Sequence, residues 1–122
     1  MAQLQPLDPQ VPIMQQLSVE ASPAILLNIF TVDAEEADAL LKAWKADALW
    51  MKAQPGFIST QLHRALGESL MFMNYAVWET VAHFRAAFGN PEFQSALAAY
   101  PQSAVVRPHL FEKMTVANLC VA

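Results

Sequence analysis

The chain has 122 residues, of which 55% are hydrophobic and only 15% charged, and its formal net charge is −4. A single domain of this length buries a core without covalent staples, and an acidic chain with no block of Lys or Arg has no electrostatic footprint for nucleic acid or an anionic membrane. So apolar a composition leaves a small domain more hydrophobic surface than it hides alone, which predicts self-association.

Residues 1–22 contain Pro6, Pro9 and Pro12 and five glutamines, with no basic start and no long apolar run. This reads as an extended arm ahead of one domain over residues 23–122, and not as a leader peptide. The lone cysteine, Cys120, has no partner within the chain, so a reducing, cytoplasmic setting is expected.

The first predicted strand is AILLNIFTV, residues 24–32, whose alternate positions are apolar on both faces except at Asn28. Such a strand is covered on both sides and carries one amide into an apolar layer, where it is either satisfied by a neighbour or turned to a ligand. Asp33 then opens a helix from about Ala34 to Ala53, with Glu36 in capping-box position and a stripe of Ala37, Leu40, Leu41, Trp44, Ala48 and Met51. Trp44 and Trp50 are expected to pack. Pro55 and Gly56 end the helix.

A second strand from Phe57 to about Leu66 returns through Gly67, Glu68 and Ser69 into a third, LMFMNYAVW, residues 70–78. In the second strand, simple alternation puts Phe57, Ser59, Gln61 and His63 on one face. In the third, Leu70, Phe72, Asn74, Ala76 and Trp78 share one face, while Met71, Met73, Tyr75 and Val77 share the other. An amide and an indole N–H thus enter one apolar cover. If His63 points the same way it supplies a base near neutral pH; otherwise it faces solvent near the hairpin end.

Thr80 caps a helix with stripe Val81, Phe84 and Phe88; Gly89 breaks it, and Asn90 with Pro91 restarts it to about Tyr100. His83 and Arg85 flank that stripe and are expected at the surface. The last strand runs from about Val105 to Val116, and Pro108 marks an edge or a bulge in it. Strand, helix, two strands, broken helix and strand make a ferredoxin-like α+β arrangement, one antiparallel sheet with helices on one face. The bare face, with Ile25, Leu27, Ile29, Met71, Met73, Tyr75 and Val77, is expected to pair with a second copy. A pocket between sheet and helices suits a flat apolar ligand.

Three segments, PGFISTQLHR at 55–64, NYAVWET at 74–80 and NPEF at 90–93, closely resemble the antibiotic biosynthesis monooxygenase domain. The resemblance covers about residues 23–118. It implies a dimeric α/β barrel of ferredoxin-like protomers. It also implies a branch that oxidises anthrones or quinols with dioxygen and no cofactor, and a branch that degrades haem. The N-x-x-x-W spacing of the first branch falls on Asn74 and Trp78, and with these His63 is the expected proton carrier. Asn28, Phe30, Phe72, Phe84 and Phe88 are expected to hold the substrate. The haem branch fits less well, because Ala87 and Leu97 stand where it has a tryptophan and the iron-binding histidine.

No other chemistry has a motif. There is no Gly-rich phosphate loop, no CxxC pair, no nucleophile elbow, and His63, His83 and His109 lie on three separate elements. The sequence therefore leaves a cofactor-free oxygenase beside a barrel that binds a small hydrophobic molecule without changing it. A titratable group in the pocket decides between them.

Overall fold

Two strands are apolar on both faces, and they lie side by side in the sheet. The structure is a computed structural model that describes residues 2–121. Its elements are β1 (Gln3–Leu4), α1 (Ile13–Gln16), β2 (Ala24–Thr31), a 3-10 turn (Ala34–Glu36), α2 (Ala37–Lys52), β3 (Phe57–Arg64), β4 (Met71–Trp78), α3 (Val81–Phe88), α4 (Pro91–Ala96), a second 3-10 turn (Leu97–Ala99) and β5 (Val105–Phe111). The order in the sheet is β1-β5-β2-β4-β3. From β2 onward this is the ferredoxin-like fold. β2 is antiparallel to both of its neighbours, whereas β1 is parallel to β5.

The register aligns the inner rows. Leu26, Asn28 and Phe30 of β2 lie directly opposite Ala76, Asn74 and Phe72 of β4, and opposed residues share a face. On the other side of β2, Asn28 faces Pro108 and Phe30 faces Val106. β1 reaches only Val105 and Val106, so at Pro108 the sheet has a free edge, where a missing N–H is tolerated. The helices cover this inner row with two contiguous apolar clusters, one around Trp78 and Phe84 and one around Phe30, Phe72 and Tyr100. On the outer row Met71, Tyr75 and Phe111 are exposed, but Ile25, expected on a bare face, is buried within the single chain.

β3 departs from simple alternation. Phe57 pairs with Trp78 but Ser59 pairs with Val77, so Ile58 is an extra residue in the ladder. A bulge of this kind shifts the two-residue period by one. Beyond it Thr60, Leu62 and Arg64 face the helices, and Ser59, Gln61 and His63 face outward. The expected common face of Phe57 and His63 does not exist.

The caps divide in the same way. Thr80 Oγ1 accepts from the His83 N–H at 3.1 Å and Asn90 Oδ1 from the Glu92 N–H at 2.8 Å. Asp33 makes no capping bond. Instead its N–H donates to Ser103 Oγ at 3.0 Å, and the Ser103 N–H donates to Glu36 Oε1 at 3.1 Å, tying the start of α2 to the loop before β5; the Ser103 side chain first and its N–H second hold the Glu36 carboxyl below its usual range. Leu41, expected on the α2 stripe, is 37% exposed, and β5 ends at Phe111 instead of Val116.

The expected arm folds back on its own sheet. The N–H groups of Gln3 and Gln5 donate to the carbonyls of Ala104 and Val106, both at 2.9 Å. Ile13 and Leu17 enter the cluster around Trp78. Gln16, only 6% exposed, is satisfied on all sides. Its Nε2 donates to Val11 O at 2.7 Å and to His109 Nδ1 at 3.1 Å, and its Oε1 accepts from the Leu110 N–H at 2.7 Å. Arg85 adds a bond from Nη1 to Leu17 O at 2.8 Å.

Candidate functional site

Between the inner row of the sheet and helices α2, α3 and α4 lies a cavity of about 60 Å³. At about 10–15 Å³ per water-sized sphere, the cavity is a narrow slot. Asn28, Phe30, Asn74, Trp78, Phe84 and Phe88, all expected at the site, line it.

The two asparagines meet because β2 and β4 are in register. They differ in what satisfies them. Thr60 Oγ1 donates to Asn74 Oδ1 at 2.5 Å, which occupies the carbonyl and leaves the Asn74 NH₂ as the donor. Asn28 Oδ1 is buried with no hydrogen-bond partner from the protein. Trp78, 1% exposed, is held by edge contacts from Phe57 at 5.4 Å and Phe84 at 5.7 Å. Phe84 and Phe88 continue the aromatic wall at 5.5 Å, and Phe30 stacks on Tyr100 at 6.2 Å.

The titratable group is Asp47, on the inner stripe of α2 between Trp44 and Met51. Its Oδ2 accepts a hydrogen bond from the Tyr100 hydroxyl at 2.9 Å, while its Oδ1 is buried without a partner. Burial pushes the Asp47 carboxyl up to about 6, against the smaller opposing effect of the Tyr100 bond. Burial, followed by the Asp47 charge and the bond to it, raises the Tyr100 hydroxyl well above the ordinary phenol range, so it stays protonated. Sequence reasoning missed Asp47 although a signal existed: its distances of three residues from Trp44 and four from Met51 set a carboxylate on an apolar stripe.

Two expected site residues lie elsewhere. His63 is on the outer face, where its Nδ1 approaches Met73 O at 3.3 Å. Phe72 is buried in the neighbouring cluster with the Arg64 guanidinium over its ring at 5.6 Å, and does not line the slot. Thr60 takes the inward position that His63 was expected to share. The lining contains no imidazole that could hold iron, so the residues present do not fit haem. Among the described residues no three His, Cys, Asp or Glu side chains form a metal-holding group, and no helix is long and apolar enough to cross a membrane.

A sequence model of antibiotic biosynthesis monooxygenases matches residues 23–99. The chain belongs to the antibiotic biosynthesis monooxygenase family. A solved protein of Shewanella loihica PV-4, named as a candidate monooxygenase, is 30% identical, with 81% of this chain and all of that one covered and a TM-score of 0.66. SnoaB of Streptomyces nogalater, a cofactor-independent oxygenase, is 24% identical over 80% of this chain and 99% of its own, with a TM-score of 0.72. A family structure from Deinococcus radiodurans has 15% identity over 80% of this chain and 99% of its own, with a TM-score of 0.69. At identities this low the last two share the fold alone. Among curated proteins none matches.

Proposed function

We propose that this antibiotic biosynthesis monooxygenase family member oxidises a small aromatic of anthrone or quinol type with dioxygen and without a cofactor. One observation carries the reading: Asn28 and Asn74 stand opposite each other on an otherwise apolar strand face and open, with Trp78, into one slot. A flat substrate that loses a proton becomes a delocalised anion able to reduce dioxygen itself. The protein then has to hold the rings, stabilise the developing oxyanion and return a proton to the peroxide. The free NH₂ of Asn74 and the indole N–H of Trp78 are the oxyanion donors. Thr60 fixes which end of the Asn74 amide is offered.

The likeness in fold to SnoaB, a cofactor-independent oxygenase, supports this reading beside the family membership. The outer sheet face is the proposed seat of a second copy, because Met71, Tyr75 and Phe111 are exposed on it and it faces away from the slot; light scattering at dilution reads the mass. The functional test is oxygen uptake with a panel of anthrones and hydroquinones in metal-free buffer. Wild type is expected to turn over, Asn74→Ala and Trp78→Phe to lose about 10–1000-fold in kcat, and Thr60→Val to lose less. Tight binding of the same aromatics with no uptake by any variant would replace the oxygenase with a binding module.

A further inference from the structure

We infer that Asp47 is the base that takes the substrate's proton, and that the slot accepts the substrate in its neutral, hydroxyl-bearing form. This rests on the oxygenase reading and adds to it the residue that starts the reaction. Two buried acceptors in one slot, Asn28 Oδ1 and Asp47 Oδ1, receive no hydrogen bond from the protein. A ligand that satisfies both brings two hydrogens: a phenolic O–H for the Asn28 carbonyl, and the acidic hydrogen of the reacting carbon or hydroxyl for Asp47.

Charge balance points the same way. Among the described residues Tyr100 is the only other ionisable side chain lining the slot, and no Lys, Arg or His joins it. A substrate that arrived as an anion would meet an ionised carboxylate with no cation to offset it, in surroundings of low dielectric constant. A neutral substrate avoids this. Moving its proton to Asp47 shifts one negative charge from the carboxylate to the ring system and creates none. Tyr100, protonated throughout, holds Oδ2 at 2.9 Å and so leaves Oδ1 as the atom that receives the proton.

For an anthrone-like methylene the steps balance as follows. Asp47 takes one C–H proton and the electron pair remains in the ring system. The carbanion gives two electrons to dioxygen as the C–O bond forms, and the protonated Asp47 returns its proton to the peroxide. Asp47 then removes the second C–H proton while the O–O bond breaks. The leaving hydroxide takes that proton from Asp47 and departs as water. The carbon ends as a carbonyl, oxidised by four electrons, and both oxygens of dioxygen are reduced.

The probe is 1,8-dihydroxyanthrone, with oxygen uptake followed from pH 5 to 8 and corrected for the rate without protein. Wild type is expected to lose rate below about pH 6 and to slow severalfold when the methylene carries deuterium. Asp47→Asn is expected to lose at least about 100-fold in kcat while binding the quinone product within about threefold of wild type. Tyr100→Phe removes a bond that favours the carboxylate, so its rate profile moves to higher pH, a change that mere loss of packing would not produce. If wild type turns over and Asp47→Asn keeps its rate, or the Tyr100→Phe profile does not move, Asp47 is not the base although the oxygenase reading survives. If wild type takes up no oxygen, the oxygenase reading fails and this inference with it.

Discussion

A carboxylate buried in an aromatic slot costs the fold stability, and the cost at Asp47 has a definite pH signature. Its carboxyl moves from 3.8 to about 6, and at about 1.4 kcal/mol per pH unit this corresponds to about 3 kcal/mol, reduced to roughly 2 kcal/mol where the slot admits water. The folded pKa is raised, so the native state holds the proton more tightly than the unfolded chain. The group's contribution is therefore fully present below about pH 4 and is lost as the pH rises through about 6. Asp47→Asn keeps the acceptor for Tyr100 and removes the titration. Urea unfolding of both proteins at pH 4, 5, 6, 7 and 8 is expected to give a stability difference in favour of the variant that is smallest at pH 4. It grows through pH 6 and levels at about 2 kcal/mol above pH 7. A difference that is constant across this range would refute the reasoning, because only a titrating group produces the slope. The same substitution is expected to abolish catalysis, so stability and function would move in opposite directions at one residue.

Two predictions concern the frame around the slot. Gly56 has φ +85° and a Cβ there would overlap both the Cβ and the ring of His83, so Gly56→Ala is expected to cost about 2–4 kcal/mol, read as a lower urea midpoint; His83→Ala in that background keeps the Cβ and recovers only the ring's share of the overlap, whereas His83→Gly removes the overlap but not the backbone strain at residue 56. Gln16→Ala strands the Leu110 N–H and empties a buried position, at an expected cost of about 2–4 kcal/mol, and hydrogen exchange should accelerate first in residues 2–20. Unchanged exchange there would mean that β1, the packing of Ile13 and Leu17 and the Arg85 bond hold the N-terminal segment without Gln16.

From residue 24 onward the sequence by itself determined the order of the elements, while β1 and α1 lay hidden in what read as an arm. Apolar alternation on both faces of residues 24–31 and 71–78 made them the central strands, Thr80 and Asn90 marked real helix starts, and the N-x-x-x-W spacing pointed to the inner row that lines the slot. These are local properties, set by period and by caps within a few residues. Glu36 shows the limit of that locality, since it abandoned the capping box for Ser103, 67 residues away.

Tertiary structure decided the rest. The bulge at Ile58 depends on how β3 registers against β4, and no residue in PGFIST announces it; one extra residue sent His63 outward and brought Thr60 to Asn74. Phe72 has the right face but the wrong end of the row. Asp47 was visible as an acid on an apolar stripe, yet it becomes a candidate base only because α2 lies over β2 and because Tyr100 reaches it from the segment after α4. Side-chain direction along one element is written in the chain; which groups share a cavity depends on register and packing between elements distant in sequence.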